Sequence, residues 1–373
     1  MILNKLSILN YKNILQCEII FSSKMNCFFG NNGMGKTNLL DAIHYLSFCK
    51  SHVNTPDSQI INNNENLCVI QADYDYEQRG ENIFCAIRRK QRKQFKRNKK
   101  EYDKLSDHIG LLPLVIVSPA DSELIQGGSD ERRKFLDVII SQHSPTYLHA
   151  LIQYNNALAQ RNALLKAESQ DTSLFEVIEM QMERYARMVY TQRKEFIEAF
   201  TPIFNTFYQI ICQSSECIAL TYISQLHIEA DLAEKLARTR DRDHILGYSS
   251  SGIHKDDLEM KLDDYLIRRV GSQGQNKTYL IALKLAQFDF LSQKGQTSPI
   301  LLLDDIFDKL DADRVEQIIK LVSGERFGQT FITDTNRKYL DAILAATNND
   351  YRLFKVSQGE VFSMNKETYE ANE

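Results

Sequence analysis

Several things are missing from this chain, and each absence excludes something. No apolar run approaches the roughly 18 residues that a membrane-crossing helix needs. The longest, Leu111–Val117 and Ile300–Leu303, are strand-sized, so no membrane partner is expected. The N-terminal stretch MILNKLSILNYKN alternates apolar with polar residues and has no signal-peptide core, so a cytoplasmic location is expected. The seven cysteines form no CxxC pair and no zinc spacing; they read as reduced thiols that fill the core. There is no internal repeat and no low-complexity linker. With 43% apolar and 25% charged residues, the collagenous, disordered and disulfide-scaffold classes are excluded. The 373 residues allow about two domains, or one large domain carrying an insertion.

The net charge of −4 is unremarkable, but its distribution is uneven. Nine of the 45 Lys and Arg residues lie in Arg88–Lys100 (RRKQRKQFKRNKK), which has no acid; the other 36 face 49 acidic residues, a balance of −13. One basic strip therefore sits on an acidic body. It reads either as a surface for nucleic-acid phosphates or as a solvated hairpin turned at Asn98-Lys99. Its single aromatic, Phe95, makes backbone contact a better fit than base stacking.

Residues 1 to about 120 have mixed α/β character. Short strands are expected around Leu3–Ile8, Ile14–Phe21, Met25–Phe29, Val69–Tyr76 and Asn82–Arg88, and a helix over Gly35–Phe48. The middle of the chain is helical. Leu148, Leu151, Leu158 and Leu165 mark one helix, and Phe175, Ile178, Met182, Tyr185, Val189, Phe196 and Phe200 mark another. Ser173 and Glu176 resemble a capping box for the second. These helices form either a hairpin arm or part of the core of one domain. From about Ser249 the α/β pattern returns, with strands at Pro299–Leu303 and Gln329–Thr333 around a helix at Asp313–Val322.

The strongest motif is Gly30-Asn31-Asn32-Gly33-Met34-Gly35-Lys36-Thr37, a match to G-x-x-x-x-G-K-[ST], the P-loop. Glycines let backbone N–H groups wrap a phosphate, and the following helix N-terminus adds partial positive charge. Lys36 is placed to reach the β/γ oxygens and Thr37 to offer a hydroxyl to Mg²⁺. A second acidic strand is supplied by Ile300–Leu303 followed by Asp304-Asp305. Asp304 is expected to hold the Mg²⁺ shell. Asp305, on the opposite side of the pleat, is expected to orient or deprotonate the attacking water. Lys36 and Asp304 are 268 positions apart, so a large insertion between two halves of one sheet is expected. A further small-residue turn, Gly271-Ser272-Gln273-Gly274-Gln275, precedes a helix expected over Lys277–Phe290. It lacks a lysine and an acid partner. It makes sense as a contributor to a nucleotide held mainly by another copy of the chain.

The P-loop, the SQGQ turn and LLLDD followed by Asp308-Lys309-Leu310-Asp311 resemble ABC-type ATPase heads, with SQGQ similar to the signature and Lys309-Leu310-Asp311 to the D-loop. Within that superfamily the chain resembles the RecF family. Ser118-Pro119-Ala120-Asp121 and Arg132-Arg133-Lys134-Phe135-Leu136-Asp137 are similar to its SPEDL…RRxFLD stretch, and Gly252-Ile253-His254-Lys255-Asp256-Asp257-Leu258 to its GPHRDDL. Ile253, Lys255, Ala120 and the strand ending Thr333-Asp334-Thr335-Asn336 depart from the family pattern.

The resemblance implies an α/β fold: an ABC-type P-loop ATPase head over residues 1–125 and 245–373, with an inserted α-helical arm over 126–244. It implies that ATP with Mg²⁺ is bound by Gly30 to Thr37 and Asn38, with Thr37 and Asp304 on the metal and Lys36 and Asp305 catalytic. Ser272, Gly274 and Gln275 would act in trans, across an ATP-dependent homodimer, and Lys12 and Asn13 are further candidates for contacting nucleotide. It implies a slow, DNA-stimulated ATPase used as a switch. It also implies DNA binding at single-strand/double-strand junctions and partnership with RecR and RecO in loading recombinase at gaps, with roles in replication restart and SOS induction. The alternatives are the engine subunit of an ABC transporter, which the basic strip and large insertion argue against, and an SMC-like DNA tether, for which the helices are too short.

Overall fold

The computed structural model describes every residue except 54, 214–215, 229–230, 308–309, 336–340, 342–344, 346–349 and 365–373. Backbone contacts divide the chain into two units. The first comprises residues 1–121, 210–213 and 277–373; the second comprises 122–209 and 214–276.

The first unit holds two six-stranded sheets. One is antiparallel, in the order Ile14–Ile20, Ile2–Tyr11, Leu67–Tyr76, Arg79–Arg88, Gln94–Arg97, Lys100–Glu101. The other runs Glu360–Met364, Tyr351–Ser357, Met25–Phe29, Thr330–Asp334, Ile300–Asp304, Leu114–Val117, and is parallel except for its first pair. Strands of a parallel sheet are covered on both faces and read as unbroken apolar runs. All residues of Ile300–Asp304 and of Thr330–Asp334 are buried accordingly. Phe21 packs its ring against Phe28, Phe331 and Phe354. Gln329 links the sheets, accepting from Leu3 N at 2.7 Å and donating to Leu3 O at 2.8 Å and Ser22 O at 2.7 Å. The register sets Asp334 beside Phe29 and Thr333 beside Asp304, so three strands end side by side. That carboxyl edge is where open α/β sheets bind ligands.

The second unit is built on the helices Ser129–His143, Pro145–Lys166 and most of Thr172–Cys212. It is not helical throughout. Asp257–Leu262 alternates half-buried and buried residues and pairs antiparallel with Ile218–Ile223 and with Tyr265–Leu266. Residues 245–276, expected in the head, group by contacts with these helices.

One local expectation is borne out with a different buried face, and one is corrected. Pro145–Lys166 is a helix, but it buries Tyr147, Ala150, Tyr154, Ala157, Arg161 and Leu165, leaving Leu148, Leu151 and Leu158 half-buried. Its inner face carries aromatic hydroxyls and a guanidinium, which a count of leucines overlooks. At the start of Thr172–Cys212 the cap is Asp171, whose carboxylate accepts from Ser173 N at 3.1 Å and Leu174 N at 3.2 Å, and Ser173 itself donates its hydroxyl to that carboxylate.

Candidate nucleotide site

The P-loop follows the buried strand Met25–Phe29 and opens the helix Lys36–Phe48. Gly30 (φ +151°) passes so close to the Tyr351–Ser357 strand that a Cβ would lie 2.2 Å from the Val356 carbonyl. At Gly35 (φ +112°) a Cβ would meet the Asn13 amide at 2.9 Å. Only glycine fits either position. Asn31, Asn32, Gly33 and Thr37 are exposed, and Met34 and Asn38 half-buried. Lys36 is 5% exposed and folds back over the loop. Its Nζ donates to the carbonyls of Gly30 at 2.6 Å and Asn31 at 3.1 Å. Burial pushes this ammonium below its usual value, against the opposing pull of Asp305, Asp304 and Asp334. A cation held by two neutral carbonyls has everything to gain from a phosphate.

The acidic strand ends where the sequence reading places it. Thr37 Oγ1 lies 3.1 and 2.9 Å from the two oxygens of Asp304, and Thr333 Oγ1 donates to Oδ1 at 2.6 Å. Burial raises the Asp304 carboxyl, the hydroxyls of Thr333 and Thr37 oppose this, and Asp305 adds to it. The hydroxyl of Thr37 beside the carboxylate of Asp304 fits Mg²⁺, which takes one or two protein oxygens and completes its shell with phosphate and water. Among the described residues no group of three or more His, Cys, Asp or Glu could hold a metal alone, so the cation would rely on phosphate oxygens.

Asp305 departs from its expected geometry. The strand stops at Asp304, and Asp305 turns into the left-handed region at φ +48°. Its N–H donates to Thr333 O and Oγ1, both at 3.2 Å. This turn directs its carboxylate, and the pleat alternation does not. Thr333 and Asp334 join the candidate site, although the sequence reading placed them only at the end of the last core strand. That place was the available signal.

Of the two further candidates, Asn13 reaches the loop and Lys12 is otherwise engaged. Asn13 donates to Met34 O at 3.2 Å and accepts from Asn38 Nδ2 at 2.8 Å. Lys12 pairs with Asp41 of the P-loop helix at 2.6 Å, and Asp41 also accepts from Tyr11 and Ser51 hydroxyls and from His52 N.

In the second unit, the signature turn is shorter than expected. The helix Gln273–Lys294 starts four residues earlier, so Gly274 and Gln275 occupy its first turn and Ser272 caps it. The D-loop resemblance is described only at Leu310 and Asp311, since Asp308 and Lys309 lie outside the described residues, as does Asn336. Asp311 caps the helix Ala312–Ser323.

The basic strip forms the hairpin Gln94–Arg97 and Lys100–Glu101, turned at Asn98 (φ +50°) and Lys99 (φ +71°). Phe95 is buried against His108 and Tyr102, which removes it as a stacking platform. Two of the cations are committed to acids: Arg97 grips Glu81 at 2.8 and 2.7 Å and Lys93 pairs with Asp57 at 3.0 Å. Arg88, Lys90, Lys99 and Lys100 are exposed.

The motifs Arg132–Asp137 and Gly252–Leu258 meet each other rather than a ligand. Arg132 holds Asp257 through two bonds of 2.7 and 3.1 Å, and Arg133 donates to Asp256 O at 2.7 Å. Arg193, which the sequence reading missed, pairs with Asp137 at 2.8 Å and Asp256 at 3.0 Å.

Comparison with known proteins gives a consistent result. A family model described as RecF/RecN/SMC N terminal domain matches residues 2–361. The DNA replication and repair protein RecF of Parabacteroides distasonis is 75% identical over 364 residues, covering 98% of this chain and all of that one. The protein of the same name from Bacteroides thetaiotaomicron is 59% identical, with 98% and 100% covered. A solved structure of the recombination mediator protein RecF with ATP, described as part of the RecFOR pathway, superposes with a TM-score of 0.87 at 27% identity, covering 98% of each chain. The Smc head domain of Pyrococcus furiosus matches with a TM-score of 0.59 at 18% identity, a likeness of fold. No helix among the described residues is long and apolar enough to cross a membrane.

Proposed function

The chain belongs to the RecF family of DNA replication and repair proteins, and from that premise we propose that it is an ATP-switched DNA clamp of recombinational repair. The observation that carries this reading is Lys36, buried and bonded to two carbonyls of its own loop, beside a Thr37–Asp304 pair set for a cation. With ATP and Mg²⁺ in place, Lys36 exchanges the Gly30 and Asn31 carbonyls for phosphate oxygens. Backbone N–H groups from Gly30 to Lys36 wrap the phosphates, and Asn38 and Asn13 brace the loop. Thr37 and Asp304 would hold the Mg²⁺, which would supply charge neutralisation to the phosphates. Asp305 orients the attacking water and takes up its proton.

Ser272, Gly274 and Gln275 act in trans on the γ-phosphate of a second copy, so the bound state is a dimer and hydrolysis releases it. A slow, DNA-stimulated turnover suits such a switch. Exposed Arg88, Lys90, Lys99 and Lys100 contact the DNA backbone, which makes affinity fall steeply with salt. The family context extends the proposal to single-strand/double-strand junctions, to RecR and RecO as partners in loading recombinase at gaps, and to replication restart and SOS induction in the cytoplasm.

The trans assignment is tested with Ser272→Arg. This variant should bind ATP as a monomer with wild-type affinity and fail to dimerise. Normal ATP-dependent dimerisation in sedimentation would remove the trans role.

A further inference from the structure

The signature turn is held by a residue that no motif contains. At the start of the helix Gln273–Lys294, Ser272 Oγ accepts from Gln275 N at 3.2 Å, and Gln275 Oε1 accepts from Ser272 N at 2.9 Å. This is a reciprocal capping box. By itself it would tolerate rotation of the glutamine amide, because the amide has a donor end and an acceptor end. A second contact removes that freedom. Gln275 Nε2 donates to Glu216 Oε1 at 2.8 Å. A carboxylate only accepts, so the NH₂ must face Glu216 and the oxygen must face Ser272 N–H. Glu216 is fixed in turn by the Tyr208 hydroxyl, which donates to its other oxygen at 2.5 Å. On the far side of the turn, Asn276 Nδ2 donates to Gly271 O at 3.2 Å. Tyr208 comes from Thr172–Cys212 and Glu216 from the chain just before Ile218–Ile223, so three segments of the second unit converge on one helix start.

We propose that Glu216 is a positioning residue for ATP-driven dimerisation: it locks the Gln275 amide so that the capping box satisfies Ser272 N–H and Gln275 N–H internally. The N–H groups of Gln273 and Gly274, which have no acceptor within their own helix at that position, and the Ser272 hydroxyl hydrogen are then left for the γ-phosphate of the partner copy, while Gln275 takes its part in the trans site by holding the turn. Without Glu216 the amide rotates, its NH₂ opposes Ser272 N–H, and the first turn loses its cap. This inference rests on the trans role proposed above.

The test measures ATP-dependent dimerisation by sedimentation, with binding of a fluorescent ATP analogue to the monomer alongside, for full-length Glu216→Ala, Glu216→Gln, Gln275→Ala and the double variant Glu216→Ala/Gln275→Ala. Loss of this charge-assisted bond should weaken the dimer about ten-fold in Glu216→Ala. Monomer affinity for the analogue should stay at the wild-type value. Glu216→Gln should recover most of the loss, since its amide oxygen still accepts from Gln275. Because Glu216 works through Gln275, the double variant should dimerise no worse than Gln275→Ala alone. Wild-type dimerisation of Glu216→Ala while Ser272→Arg stays monomeric would overturn the inference and leave the trans role standing. Additive losses in the double variant, or a fall in monomer affinity, would also overturn it. If Ser272→Arg dimerises normally, the trans role fails and the inference falls with it.

Discussion

Lys36 in the first unit and Arg193 in the second are both buried cations, and they are held in opposite ways. In the first unit Lys36, 5% exposed, rests on the carbonyls of Gly30 and Asn31. In the second, Arg193, 2% exposed, is held by Asp137 and Asp256, by the Tyr147 hydroxyl at 3.0 Å and by Ile253 O at 3.1 Å. Arg161, fully buried, repeats the second pattern with Glu179 at 3.0 Å and Asp243 at 2.7 Å. Neutral carbonyls release a cation readily when a better anion arrives. Carboxylates of the same chain do not, because a buried one such as Asp256, Glu179 or Asp243 would be left as an unpaired charge. The first arrangement suits a binding site and the second a brace.

The sharpest way to break this contrast is to remove each cation and compare stability with binding. Arg193→Met strands Asp137 and Asp256. It should cost roughly 3–5 kcal/mol in urea unfolding while leaving ATP affinity of the folded fraction unchanged. A loss below about 1 kcal/mol would mean that the network relaxes and is no brace. Lys36→Ala should behave inversely, with ATP affinity falling at least about a hundred-fold, roughly 3 kcal/mol, and unfolding stability within about 1 kcal/mol of wild type.

Both units should be acid-sensitive, because each contains the same buried device, and the first adds His44, which burial lowers to about 3. His108 in the first faces Leu46 O at 2.6 Å and the Tyr102 hydroxyl at 3.0 Å; His254 in the second faces Ser249 O at 3.0 Å and the Tyr154 hydroxyl at 2.7 Å. Burial lowers each imidazole to about 4. The unfolded chain, with histidine near 6.5, takes up these protons first, so stability falls as pH drops from about 6.5 toward 4. The slope approaches about 1.4 kcal/mol per pH unit for each histidine. Urea midpoints at pH 7 and pH 5 should show this, and His108→Gln and His254→Gln should each flatten the profile. A flat wild-type profile would contradict the neutral assignment.

The smallest effect concerns the basic hairpin. Lys99→Ala with Lys100→Ala should reduce the slope of log K for DNA against log salt by about 2 and leave stability unchanged. Lys93→Ala, which breaks the contacts to Asp57 and Cys49 O, should do the reverse. Equal salt slopes for the two variants would return the strip to a solvated hairpin.

The nucleotide site was largely legible in the sequence because its geometry is local. Gly30 to Thr37 are consecutive, and Ile300–Asp304 announces itself as an apolar run ending in acid. What escaped depends on register or on long-range pairing. Asp305 leaves the pleat through a positive φ that alternation cannot foresee, and Thr333 reaches Asp304 only because two strands align. The brace was invisible for a deeper reason. Arg132, Arg193, Asp137, Asp256 and Asp257 lie up to 125 positions apart, and a charged residue on a helix normally reads as solvated surface. Their motifs suggested a family, while their physical role needed the fold.

In the proposed switch, Lys36 exchanges its own loop for a nucleotide and thereby drives the dimer. The most direct measurement is sedimentation together with ATP hydrolysis, with and without gapped DNA, for wild type and Lys36→Ala. An ATP-dependent dimer with DNA-stimulated turnover is expected in wild type, both absent from a stably folded Lys36→Ala. A dimer that forms equally well without ATP, or in Lys36→Ala, would contradict it.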